Sequence, residues 1–283
     1  MNKRFDNLIV ADGVYVPEIG KTYPEDNPSQ SILHTKITRN DVFDENYPYD
    51  DHSLRYRFNN FIGYYLFLYP IVFFWNHLKN GLKIKGRDNL KKYKKSFKQG
   101  AITICNHCNR MDAPAVLEAV RGNYHTRIPM YNVSFNTPDH WFVWAVGGIP
   151  IPEGSITAMK KFNAAFDEFH KRGWWIHVFP ESSRWDYYKP LKPFYKGAFS
   201  MSYKYNLPII PCVITFRERK GIYRLFGKPT EPLLTIEVGE PLFPNKDNPR
   251  FEEVNRLREA AHKKMQTMAG ILQNSWSIAP ENE

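Results

Sequence analysis

A chain of 283 residues with 42% hydrophobic and 16% aromatic side chains can bury one large core, which excludes an intrinsically disordered protein. Its formal net charge of +10 at pH 7 points to a polyanionic partner, either nucleic acid or an anionic lipid surface. Three cysteines, Cys105, Cys108 and Cys212, are too few for a disulfide framework and suit a reducing compartment. The amino-terminal MNKRFDNLIVADGVY has no apolar run leading into a small-residue cleavage site, so the cytoplasmic side is the expected location.

Residues 1–55 are polar, rich in Asp, Pro and Tyr, and lack clear periodicity. They are expected to form an irregular extension that either wraps the domain or stays partly disordered. Residues 61–75, FIGYYLFLYPIVFFW, carry no charge. The run is shorter than the about 20 residues a spanning helix needs, and Pro70 would kink it. It reads either as a buried core helix or as a helix lying in one leaflet. Behind it come Lys79, Lys83, Lys85, Arg87, Lys91, Lys92, Lys94, Lys95 and Lys98 against the single acid Asp88. Lipid headgroups hold such cations at about 1 kcal/mol each. Residues 56–80 are therefore expected to associate with an anionic membrane surface.

From residue 82 onward, short apolar runs alternate with helical patterns. LKIK, AITIC, RIPMYNV, WWIHVF, LPIIPCVITF and LLTIEV read as strands. Residues 111–120, 138–146, 156–172 and 250–273 read as helices. In the third of these, Ile156, Met159, Phe162, Phe166 and Phe169 are expected to form one core-packing stripe, with Gly173 as the carboxyl-terminal cap. This alternation predicts an α/β domain over residues 81–283, with a central mixed sheet flanked by helices.

The sharpest local pattern is Asn106-His107-Cys108-Asn109-Arg110-Met111-Asp112, between a predicted strand and a predicted helix. On one continuous helix, positions five apart point about 140° away from each other. His107 and Asp112 can therefore meet only if the histidine ends the strand and the aspartate opens the helix. A carboxylate that fixes the tautomer of an imidazole leaves the second ring nitrogen free to act as a general base. On the pair alone, a helix cap beside a hydrogen-bonded loop histidine is the plainer reading. Cys105 and Cys108 also form a C-x-x-C, but no second cysteine or histidine pair completes a metal set. Nor does any nucleic-acid-binding motif accompany the basic charge, so no nucleic-acid partner is expected.

Phe179-Pro180-Glu181-Ser182-Ser183-Arg184 follows a predicted buried strand. With NHCNRMD it resembles the glycerolipid (PlsC-type) acyltransferase family, which carries Asn-His-x4-Asp and, later, Phe-Pro-Glu-Gly-Thr-Arg. Two weaker blocks occur in the same order as in the family, Gly147-Gly148-Ile149-Pro150-Ile151 and Leu207-Pro208-Ile209-Ile210-Pro211-Cys212. The resemblance covers roughly residues 80–242. It implies that His107 activates an acceptor hydroxyl and Asp112 orients it, with no metal and no permanently bound cofactor. It implies acyl-CoA or acyl-carrier protein as co-substrate and a lysophospholipid acceptor, by default 1-acylglycerol-3-phosphate. Substrate-binding positions would be Asn106, Gly148, Ile151, Glu181, Ser182, Ser183, Arg184 and Pro211. The family's Gly-Thr is Ser182-Ser183 here, and Glu153 stands near where the second block often ends in Arg. A carboxylate there would repel a phosphate, which leaves another lysophospholipid or hydroxylated lipid open as the acceptor. The implied setting is monotopic, on the cytoplasmic face of the membrane.

Overall fold

The computed structural model describes residues 7–280 except 19, 33–35, 52, 55–57, 59–60 and 121–124, and it leaves out the side chains of 67 and 68. The start of the expected membrane-associating segment, at 56–57 and 59–60, thus lies outside the described residues, as do residues 1–6 of the extension.

Along the chain run β1 (Ile9–Val10), α1 (Tyr69–Phe74), β2 (Lys83–Lys85), α2 (Arg87–Lys92), β3 (Ile102–Cys105), α3 (Asp112–Val120), β4 (Thr126–Tyr131) and α4 (His140–Ala145). Then follow β5 (Gly148–Ile151), α5 (Ile156–Lys171), β6 (Trp175–Val178), α6 (Gly197–Tyr205), β7 (Ile209–Arg217), β8 (Leu233–Val238), α7 (Arg250–Met268) and β9 (Ile271–Gln273). Seven strands form one mixed sheet in the order β2-β8-β7-β3-β6-β4-β5. All neighbours are parallel except β7 and β8, which are antiparallel. The central strand β3 is buried along its whole length, and its apolar sequence suits a parallel strand covered on both faces. Ile102, Ile104, Ile176 and Val213 face Phe166, Phe169, Phe199 and Leu257 from α5, α6 and α7. On the other face Cys105, Cys212 and Ile236 meet Val116 and Ala119 of α3. The predicted α/β architecture with a central mixed sheet is what the chain adopts.

Strand direction decides where chemistry can sit. With β8 reversed against β7, the carboxyl ends of β3, β4, β6 and β7 share one edge of the sheet with the amino ends of β2 and β8.

Two sequence expectations need correction. The last helix stops at Met268 and not at 273. Gly270 takes a φ of +66°, which ends the helix, and Ile271–Gln273 turns back as β9 to pair antiparallel with β1. On α5, Ile156 and Met159 are exposed, and the buried stripe is Ala158, Phe162, Ala165, Phe166 and Phe169. Each residue turns the helix by about 100°, so Ile156 points about 80° away from Phe166 and leaves the stripe. Gly173, at a φ of +65°, does follow the end of α5, and Trp174 N–H donates to Phe169 O.

The apolar run folds as a helical segment from Gly63 to Lys79, with π-helical turns at Gly63–Leu68 and Trp75–Lys79 on either side of α1. Tyr64 and Val72 pack with Met111 and Leu117, while buried Asn76 donates to Glu118. The other face leaves Phe61, Leu66, Ile71, Phe73 and Phe74 exposed, so this is not a buried core helix. Among the described residues no helix is long and apolar enough to cross a membrane.

The amino-terminal extension crosses the domain. Tyr23 stacks on Trp185, and its hydroxyl donates to Asp186 O. Further on, Phe43 packs on Phe135, and Tyr49 meets Phe162 edge-on.

Candidate active site

The site begins where β3 ends. Asn106 carries the strand ladder one residue further with its side chain: Nδ2 donates to Ile214 O at 3.0 Å, and Ile214 N–H donates to Oδ1 at 2.8 Å. The backbone of His107 is held on both sides. Its N–H donates to Glu181 Oε2 at 3.0 Å, and its carbonyl accepts from Trp185 N–H at 3.0 Å. The ring stacks on Phe179 with centroids 4.0 Å apart.

Asp112 is the first residue of α3, as the five-residue spacing requires. Its Oδ2 accepts from His107 Nδ1 at 2.6 Å, and its Oδ1 accepts from Ala113 N–H at 2.7 Å. The aspartate side chain is 2% exposed and the histidine 20%. The carboxylate is thus locked by backbone donors in the positive first turn of a helix, and it fixes the imidazole tautomer. Nε2 has no partner among the described residues and is left to the cavity that the ring lines.

That cavity measures about 820 Å³. Six of the expected site residues line it, namely His107, Asp112, Ile151, Ser182, Ser183 and Arg184. Its wall also carries the apolar side chains of Met130, Val143, Phe162, Phe166 and Met201, and the cations Arg110, Lys204 and Arg250. Two aromatics of the α5 stripe therefore serve the cavity as well as the core, contrary to the reading of that stripe as core packing alone. Ser182, at a φ of 69°, places its Oγ 2.7 Å from Tyr131 Oη. Arg184 Nε lies 3.1 Å from Asp186 Oδ1 as an ion pair without hydrogen-bond alignment. Arg110, also in the lining, pairs with Asp139 at 2.6 Å.

Four expected substrate-binding residues are not in the wall. Asn106 is consumed in tying β3 to β7. Glu181 is buried behind the histidine, where Oε2 accepts from His107 N–H and Oε1 from Lys192 N–H at 3.0 Å. Gly148 is a packing position, since a Cβ there would stand 2.7 Å from Val143 O on α4. Its neighbour Gly147 adopts a φ of +89°, and a Cβ would come within 2.2 Å of Thr126 O, so the Gly-Gly of this block answers to backbone crowding. Pro211 lies inside β7 opposite Ile104, against Gly239.

Other residues of the site carried no signal in the sequence. Lys192 is buried, and its ammonium donates to Ser183 O at 2.5 Å, Ser183 Oγ at 2.7 Å and Pro28 O at 3.2 Å. Burial pulls this lysine down to about 8 and pushes Glu181 up, while each partner's charge opposes the other's shift. Ser183 Oγ also stands 2.8 Å from Pro28 O, and Trp185 Nε1 donates to Gln30 O, so Ser29 and Ser31 of the extension reach the cavity wall. No local pattern links Pro28 to Ser183, 155 positions away.

Near the His107–Asp112 pair, His177 is fully buried on β6 with Nδ1 2.9 Å from Thr103 Oγ1. Burial pulls its pKa down to about 3, and the same cause takes His262 of α7 to about 4. Both are neutral in the fold but take up a proton near pH 6.5 when unfolded. Stability is therefore full above pH 6.5 and falls as the pH drops from there toward 4. Each histidine contributes up to about 1.4 kcal/mol of loss per pH unit. Denaturant titrations at stepped pH are expected to show this decline, and a flat profile between pH 7 and 5 would contradict it.

The three thiols are buried, and burial raises each above the ordinary cysteine range. Among the described residues no group of three or more His, Cys, Asp or Glu side chains is placed to hold a metal ion.

Residues 81–215 match the family model described as Acyltransferase. No curated protein matches the chain. One similar solved structure is the crystal structure of the 1-acyl-sn-glycerophosphate (LPA) acyltransferase PlsC from Thermotoga maritima. It is 19% identical at a TM-score of 0.48, over 75% of this chain and 79% of that one. The matched stretch holds His107, Asp112 and the Phe179–Arg184 loop together, and over residues 81–215 the chain is similar to the Acyltransferase family.

Proposed function

We propose that the protein acylates a hydroxyl of a lysophospholipid, by default 1-acylglycerol-3-phosphate, from acyl-CoA or acyl-carrier protein. The observation that carries this reading is the 2.6 Å approach of His107 Nδ1 to Asp112 Oδ2 at the wall of a cavity lined by both polar and apolar side chains. His107 Nε2 takes the proton of the acceptor hydroxyl as its oxygen bonds to the thioester carbonyl carbon. The carbon–sulfur bond then breaks, and the leaving thiolate takes up the proton from the imidazolium. Asp112 stabilises that imidazolium and stays ionised throughout. The apolar stretch between Met130 and Met201 suits an acyl chain. Arg110 and Arg184 are two of the cations that line the cavity, with Lys204 and Arg250, and suit a phosphate, provided they exchange their present carboxylate partners. The exposed apolar face of the 61–75 segment, next to basic residues, supports a peripheral place on an anionic membrane surface, at its cytoplasmic face.

One observation favours a second acceptor class. Arg110 and Arg184 are already ion-paired, and Tyr131 and Ser182 present hydroxyls at the same wall, which suits an uncharged hydroxylated lipid. Purified protein offered a panel of lysolipids and neutral acceptors with each thioester donor, read by lipid mass spectrometry, tests both. Acylated 1-acylglycerol-3-phosphate is the expected product. Transfer to a neutral acceptor alone would select the second reading, and no transfer from either donor would overturn both.

A further inference from the structure

A loop outside the cavity shares its edge of the sheet. Between β7 and β8 the chain makes a 3-10 turn at Gly221–Leu225. The turn is organised from within by Arg219, which is 4% exposed. Its guanidinium donates to Glu231 O at 2.8 Å, Tyr223 O at 2.7 Å and Lys79 O at 2.8 Å. Gly227 closes over it, since a Cβ there would stand 2.8 Å from the guanidinium carbon. A loop with its buried charge satisfied in this way holds its shape. Even so, its outer surface presents Ile222 at 66% exposure, Leu225 at 80% and Phe226 at 37%. Single exposed apolar residues are ordinary, but three within five positions of one ordered turn form a patch. Lys220, Arg224 and Lys228 surround the patch and are exposed. Lys220 is paired with Glu218 at 2.6 Å.

The position of this loop matters as much as its composition. The hydrogen bond from Arg219 to Lys79 O clamps it to the end of the helical segment whose outer face is also apolar. Arg217, at the end of β7, likewise reaches Gly81 O. Both elements lie at the edge where β3 delivers His107.

We infer that the Arg219–Lys228 loop is a second bilayer-contact element, which seats Ile222 and Leu225 among the acyl chains of an anionic leaflet while its cations meet the headgroups. Apolar residues ringed by Lys and Arg match the interfacial layer in both polarity and charge. Two separated points of attachment fix an orientation that one helix alone leaves free, and here they turn the cavity's edge toward the membrane.

The test uses the full chain with Leu225→Cys carrying an environment-sensitive nitrobenzoxadiazole label, since the native thiols are buried. Phosphatidylcholine vesicles containing phosphatidylglycerol are expected to raise its fluorescence about threefold or more. The same label on Asp247→Cys, in the segment leading away from this edge, is expected to stay unchanged. Replacing Ile222 and Leu225 together by Asp is expected to weaken vesicle sedimentation at least about tenfold with unaltered thermal unfolding. A protein that binds vesicles while the label at 225 stays silent would overturn the proposal, as would a double variant that binds as before. A label that responds to an acidic carrier protein and not to vesicles would assign the loop to a protein partner and overturn it equally. Neither measurement involves acyl transfer, so the outcome is separate from that of the proposed reaction.

Discussion

Replacing His107 by alanine is expected to lower acyl transfer by about 10²–10⁴-fold, the usual contribution of a positioned general base. The loss falls on chemistry because the fold does not depend on the imidazole. What fastens this residue is its backbone, through Glu181 Oε2 and Trp185 N–H, and both hydrogen bonds survive truncation. Circular dichroism and thermal unfolding should therefore change little, since truncation removes chiefly the ring stacking on Phe179. Asp112→Asn probes the same unit from the other side. The amide keeps an oxygen for the Ala113 N–H but removes the charge that stabilises an imidazolium. Its activity should fall toward that of His107→Ala, and the double variant should lose little more than either alone, since residues acting as one unit are not additive. Initial rates with saturating acceptor measure all three. A His107→Ala enzyme within tenfold of the parent would remove the imidazole from the chemistry.

Glu181→Ala is expected to destabilise the protein by about 3–5 kcal/mol, the range for breaking a buried charge constellation by removing one partner. The carboxylate is buried, so water does not compensate. Its removal orphans the N–H groups of His107 and Lys192 and strips the Lys192 ammonium of its nearby counter-charge. Glu181→Gln should cost less, because the isostere still accepts one of the two N–H groups while its own NH₂ confronts the other. Denaturant midpoints with unchanged slope would show this ordering. A loss under about 1 kcal/mol for the alanine variant would mean that the Phe179–Arg184 loop is held by something else. The same variants should also slow transfer, since Glu181 sets where the histidine backbone lies.

These two residues mark how far the sequence could be read. The contact of His107 with Asp112 was legible because a strand-to-helix switch is a local event. AITIC is apolar enough to be a central strand, Asp112 opens a helix, and a spacing of five then has one workable geometry. The sheet was legible for the same reason, each strand being an apolar run between turn residues. What stayed hidden depends on distance or on the absence of a side chain. Glu181 belongs to a motif, and a motif does not say whether its carboxylate faces a substrate or a backbone. Gly148 reads as part of a site, although its requirement is the 2.7 Å approach of Val143 O. Pro211 sits in a block that resembles a family signature, yet its register puts it in the sheet. Periodicity overran α7 because residues 269–273 are still apolar enough to extend the pattern, and only the φ of Gly270 stops it.

The strap of residues 21–32 has an implication for how the protein can be handled. The acyltransferase match starts at residue 81, and trimming the chain to that boundary would look harmless by sequence. Such trimming would delete Ser29 and Ser31 from the cavity wall and take Pro28 O from Lys192, leaving a buried ammonium one acceptor short. The wall of the cavity is thus built by the amino-terminal strap together with residues from 81 onward. In a refolding experiment, activity should return only after the amino terminus has docked, later than the sheet regains its compactness.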